Sequence, residues 1–157
     1  MRFNPFEEKP IPVEKTYMDW NTMYPKPYNT ETVDPYTKTR IILMNGTEFE
    51  AQWFSRNFSR HCPDNDLRRE LAMARRTEQQ QQKRIACLKP KNETILEHTL
   101  SYEQLAVDLT AVMARRETDC NVRNALDFAL LEDFDHLYRY SNLLDLEYGT
   151  DPKKLVG

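Results

Sequence analysis

Apolar residues beyond residue 64 recur at alternating spacings of four and three, the pattern of a helix with one buried face. Two stretches show it most clearly. The first stripe is Leu67, Leu71, Ala74, Glu78, Gln81, Ile85 and Leu88, and the second is Val122, Leu126, Ala129, Asp133, His136, Tyr140 and Leu143. One acid interrupts each stripe. A carboxylate on a buried face is costly unless it is protonated, paired or bound to a metal.

The pattern predicts an all-α protein with four main helices, near 38–60, 65–88, 94–115 and 120–147. Asp64 or Asn65 is expected to cap the second helix. The third can begin at either of two capping-box patterns, Thr94-Ile-Leu-Glu97 or Ser101-Tyr-Glu-Gln104. Gly149 and Pro152 are expected to stop the fourth helix.

The chain divides into three predicted parts. Residues 1–36 carry six prolines and aromatic residues such as Phe3, Phe6, Tyr17 and Trp20, which favours an extended arm packed over the helices or a neighbouring subunit. Residues 37–150 are expected to form a four-helix bundle and 151–157 a tail. The segment from Lys89 to about Ser101 is long enough to predict a crossover connection between the two halves.

The chain also repeats itself. An offset of 55 residues carries the first stripe onto the second with matching character at nearly every position, and it carries Glu48 onto Glu103. Glu48 and Glu103 each lie 30 residues before the acid on the following helix. The repeat therefore predicts two helix pairs, with one inward carboxylate per helix at a common level.

Four segments resemble the ferritin-like superfamily, particularly its rubrerythrin-type members: Gly46-Thr-Glu48, Glu78-Gln-Gln-Gln81, Tyr102-Glu103 and Asp133-Phe-Asp-His136. The resemblance covers about residues 40–147. It implies a ferritin-like four-helix bundle with a carboxylate-bridged pair of metal ions and redox chemistry with dioxygen or peroxide. Gln81 stands where that family has a histidine, and Asp133 stands where it has a glutamate.

The resemblance and the repeat together give a predicted ligand set for two iron or manganese ions. Its members are the carboxylates and imidazole of Glu48, Glu78, Glu103, Asp133 and His136. Gln81 and Tyr140 are expected beside the ligands, as groups that hydrogen-bond to them. No catalytic residue is predicted beyond the ligands. The alternative is a divergent bundle without redox activity, in which these groups form a polar core and the protein serves a structural or interaction role.

Composition narrows the function classes further. The 22 Lys and Arg residues are balanced by 25 Asp and Glu, a net charge of −3 that argues against a nucleic-acid partner. Cys62, Cys87 and Cys120 form no CxxC pair, which favours a reducing compartment. No membrane-spanning stretch is apparent. A cytoplasmic homodimer served by an electron-donor protein is the expected setting.

Overall fold

The computed structural model describes Glu7 and residues 18–156, and within them every regular element is helical. The elements are α1 (Pro35–His61), α2 (Asn65–Ala86), α3 (Ile95–Arg116), α4 (Cys120–Tyr148) and a short 3-10 helix (Pro152–Lys154). The predicted all-α class and its four main helices are confirmed, with every boundary within about three residues. The periodicity and the capping signals therefore predicted the all-α class and the four main helices.

Local hydrogen bonding explains where the helices begin and end. The Asp64 carboxylate accepts from the Leu67 amide at 2.8 Å and starts α2. Thr94 starts α3 in a complete capping box with Glu97, which decides between the two predicted starts. Gly149 ends α4 with a φ of 59°, a left-handed conformation that costs glycine little.

The connection between α2 and α3 is shorter than predicted. Because α3 begins at Ile95, only residues 87–94 separate it from α2, and the Glu93 amide donates to the Pro90 carbonyl within that segment. A folded connection of this length spans less than the roughly 33 Å of a 22-residue helix. The predicted long crossover from Lys89 to Ser101 is wrong, because the capping box at Thr94 starts the helix earlier.

The chain forms two compact units that interleave along the sequence. One contains Asn45–Cys87 with the described residues before Lys26, and the other contains Lys26–Met44 with the chain from Leu88 onward. In the first unit, the Gln82 side chain on α2 donates to the Asn45 amide oxygen on α1 at 3.0 Å. Helix α1 continues from one unit into the other, and Gly46 does not interrupt it.

In the second unit, α3 packs along α4. Its fully buried cluster is Leu100, Leu144 and Leu155, with Leu96, Leu137 and Tyr140 packed against it. Leu155 follows the 3-10 helix and is only 7% exposed. Leu155 and Val156 therefore pack against the core of this unit.

Residues 18 and 20, before α1, contact α2. The Gln80 side chain pairs with the backbone of Met18, accepting from its amide at 2.8 Å and donating to its carbonyl. Lys83 lies 5.1 Å from the centre of the Trp20 ring, a cation–π contact. Phe3, Phe6 and Tyr17 lie outside the described residues.

Candidate metal centre

Three predicted ligands meet in the second unit. Glu103 on α3 and Asp133 and His136 on α4 each present one donor atom, and these three atoms all lie within 4.8 Å of one another. The Glu103 carboxylate is 3.6 Å from the Nδ1 atom of His136. Asp133 and His136 are one turn apart, a spacing at which two side chains of a helix reach the same point.

The electrostatics of this group favour a cation. Burial raises the pKa of the Glu103 carboxyl above its usual value, the charge of His136 opposes that rise, and the charge of Asp133 adds to it. Glu103 thus holds a negative charge at a free-energy cost that a bound cation would offset. The side chain of Glu103 is 17% exposed and that of His136 is 46% exposed, so the group is shielded on one side and open on the other.

The donor set fits a transition metal. Two carboxylates and one imidazole supply two oxygens and one nitrogen, the ligand types that iron, manganese and zinc accept. Three protein ligands leave coordination positions for water or a substrate, as in catalytic sites. Tyr140 lies one turn beyond His136 with its ring centre 6.5 Å away. It packs against the apolar core, so its main contact is hydrophobic.

The other two predicted ligands, Glu48 on α1 and Glu78 on α2, belong to the first unit and affect each other there. Burial raises the pKa of Glu48, and the charge of Glu78 raises it further. The buried Oε2 atom of Glu78 has no hydrogen-bond partner among the described residues, and neither does the buried Oε1 atom of Gln52. These acids therefore form a second, histidine-free carboxylate pair. That both pairs form one layer stays a prediction.

Gln81 does not take the position predicted for it. Its side chain is exposed, and its two neighbours make the inward contacts. Gln80 is 4% exposed and binds Met18, while Gln82 binds Asn45. The error lies in helix phase, because the inward position after Glu78 can be three or four residues further on. At this point the helix turns the fourth residue, Gln82, toward α1.

A buried charge cluster escaped the sequence reasoning entirely. The Glu93 side chain is 1% exposed and accepts a 2.6 Å hydrogen bond from the Tyr28 hydroxyl. Lys38, Lys89 and His98 lie within 3.5 to 3.9 Å of the same carboxylate. These residues come from separate segments, so no periodic pattern marks them. This cluster joins the arm and the start of α1 to the start of α3.

Comparison with known proteins adds no family. No protein-family model, no curated protein and no solved structure matches the chain. Among the described residues, no helix combines the length and apolar character needed to cross a bilayer.

Proposed function

We propose that this chain is a non-haem metal protein that binds iron or manganese through Glu103, Asp133 and His136. The observation that carries the proposal is the meeting of their three donor atoms within 4.8 Å, two of them from carboxylates and one from imidazole. Their convergence requires two different helices. Helix α3 supplies Glu103, and α4 supplies Asp133 and His136.

The proposed chemistry is redox chemistry with dioxygen or peroxide. Glu48 and Glu78 would hold a second ion in the first unit, and the bound ions would supply electrons to dioxygen or peroxide. An electron-donor protein must then restore those electrons, because the chain has no CxxC metal module of its own. The exposed side of His136 gives a small oxidant access to the centre. We place the protein in the cytoplasm.

A second candidate function is that of a helical interaction protein without redox activity. It is favoured by the many exposed apolar residues, among them Phe49, Trp53, Phe128 and Leu131, each at least 49% exposed. Surfaces of this kind are typical of proteins that bind other proteins. Metal content separates the two candidates.

Metal analysis of protein purified without oxygen tests the proposal. About one iron or manganese per chain is expected if only the second unit binds metal, and about two if Glu48 and Glu78 hold another ion. Asp133→Asn should lower the affinity of the second-unit site 10- to 100-fold, because it removes a ligand charge. Asp135→Asn is the matched control, since Asp135 is an exposed acid two residues away that pairs with Arg139.

The metal content of the wild type and of the variants decides between the two candidate functions. Metal-free wild type that also fails to bind added Fe(II) or Mn(II) would favour the interaction role. Equal metal retention in Asp133→Asn and Asp135→Asn would show that bound metal lies elsewhere. Loss of one ion in Asp133→Asn and of the other in Glu78→Gln would support one ion site in each unit.

A further inference from the structure

The outer face of α4 is apolar and uncovered. Phe128, Leu131, Phe134 and Tyr138 are each between 60% and 71% exposed. At 100° per residue they fall on one side of the helix, away from the side that carries Asp133 and the core residue Leu144. Monomeric proteins rarely expose a row of large apolar side chains of this kind.

We propose that two copies of this chain pair through the outer face of α4, with the two helices antiparallel about a two-fold axis near residues 134 and 135. A two-fold interface uses the same patch on both chains, so the patch must complement itself. The charges along α4 meet that requirement. They are the observation that selects a second copy as the occupant.

Arg123 and Asp145 lie on the Phe134 side of the apolar row, near opposite ends of α4, and both are exposed. Residue 134 is midway between them. In an antiparallel pair centred there, Arg123 of each copy lies opposite Asp145 of the other, and two ion pairs form at the two ends. A parallel pairing would instead place like charges together, which is unfavourable.

Glu132 and Arg139 repeat this relation on the other flank. Their midpoint falls between residues 135 and 136, within two residues of the first, and long side chains absorb that offset. Asp135 lies close to the axis, where it would face its own copy. Its carboxylate already pairs with Arg139 at 2.7 Å, which offsets its charge. Both flanks therefore select the same antiparallel register.

The size of the face suits a dimer. At roughly 200 Å² for each fully exposed large side chain, the four residues of the row present about 500 Å² per chain. Two chains together reach about 1,000 Å² before the flanks are counted, which is where stable interfaces begin. Because this face lies away from Asp133, pairing leaves the candidate metal centre accessible.

The first test is the mass of the purified protein by light scattering and sedimentation over a range of concentrations. Wild type should be dimeric, and Leu131→Glu should be monomeric, because it places two carboxylates inside the apolar row. Ile95→Glu is the control. Ile95 is 86% exposed on α3, and an acid in the first turn of a helix is favourable, so this variant should remain dimeric.

The second test exchanges the charges. Arg123→Asp and Asp145→Arg should each raise the dimer dissociation constant at least tenfold, and the double variant should return it to within about threefold of wild type. Both replacements suit the helix dipole, so helix formation is preserved. Metal content should stay at the wild-type level in every variant.

A monomeric wild type would overturn the proposal, whatever other partner the face then binds. So would a Leu131→Glu variant that remains dimeric. A double charge exchange that dimerises as weakly as either single variant would overturn the antiparallel register. Dimerisation that follows all the expected changes would support the proposal even if the protein binds no metal.

Discussion

The two helix pairs bury different types of side chain. In the α3–α4 pair, leucines fill the buried cluster, and the acids Glu103 and Asp133 share their site with His136. In the first unit the inward positions of α1 are polar: they are half-buried or buried and include Asn45, Glu48, Gln52 and Ser55. The aromatic residues of that helix, Phe49, Trp53, Phe54 and Phe58, are exposed.

This contrast shows what an internal repeat specifies. The 55-residue offset correctly predicts two pairs of helices and an acid on each helix. It does not make the two pairs equivalent, because the histidine that accompanies the acids in the second unit has no counterpart in the first. Glu103 gains an opposing charge from His136, whereas Glu48 has only another acid, Glu78, beside it.

The largest difference between the units should appear on removing a core leucine. Leu144→Ala is expected to lower the free energy of unfolding by about 2–5 kcal/mol, because it leaves a cavity where the side chain is 1% exposed. Denaturant unfolding followed by circular dichroism measures the change. Ile95→Ala, at an exposed site in the same unit, should change stability by less than about 0.5 kcal/mol. Equal effects would show that the leucine cluster does not stabilise the second unit.

Two half-buried or buried carboxylates, Glu93 and Glu48, should respond oppositely to pH. Burial raises the pKa of Glu93, but the neighbouring His98, the hydrogen bond from Tyr28 and the charge of Lys38 outweigh burial and hold that pKa below its usual value. Its stabilising effect is complete above the unfolded-state pKa and is lost as pH falls through the lowered folded-state value. Glu93→Gln should therefore cost about 1–3 kcal/mol at neutral pH.

The pKa of Glu48 is shifted in the opposite direction to that of Glu93. Because its folded-state pKa is raised, its ionised form destabilises the metal-free protein at neutral pH, and stability returns as pH falls through that raised value. Glu48→Gln should stabilise the metal-free protein at pH 7. Urea unfolding midpoints of Glu93→Gln, Glu48→Gln and the wild type, measured with a metal chelator present from pH 7 to pH 4, test both predictions. A loss of stability at pH 7 in Glu48→Gln would contradict the prediction that ionised Glu48 destabilises the metal-free protein.

The smallest expected effect comes from adding a histidine beside the Glu48–Glu78 pair of the first unit. Gln82→His should strengthen metal binding by about tenfold, or about 1.4 kcal/mol, because this position lies one turn from Glu78 and turns toward α1. Gln81→His is the matched control, since Gln81 is exposed. Titration with Mn(II) or anaerobic Fe(II) measures both variants. A stronger effect of Gln81→His would contradict this prediction and would mean that residue 81 of α2, and not residue 82, faces α1.

Local signals explain how much of this structure was predictable. Asp64, Thr94 and Gly149 end or begin helices through contacts with residues close in sequence, so the helix boundaries followed from the sequence. The predicted row of inward residues assumes a repeat of 3.5 residues, whereas an α-helix has 3.6 residues per turn. The residues that face inward therefore change position along each helix. Along α4 the half-buried and buried positions after Asp133 are Leu137, Tyr140, Ser141 and Leu144, while His136 and Leu143 are exposed.

The Glu93 cluster lay beyond sequence reasoning for a different reason. The hydrogen bond from Tyr28 to Glu93 joins residues 65 positions apart, and nothing local to either residue indicates the other. Lys38 is likewise an ordinary charged residue in the sequence, yet its side chain is 4% exposed beside Glu93. Such contacts arise only when distant segments are brought together.

The interleaving of the two units has a consequence for how the chain folds during synthesis. Lys26–Met44 emerges from the ribosome long before the rest of its unit, which begins only at Leu88. Helix α2 and the later part of α1 can pair first, since they are neighbours in sequence. The second unit must close a loop of more than forty residues before Glu93 reaches Lys38, and that closure places its completion late in folding.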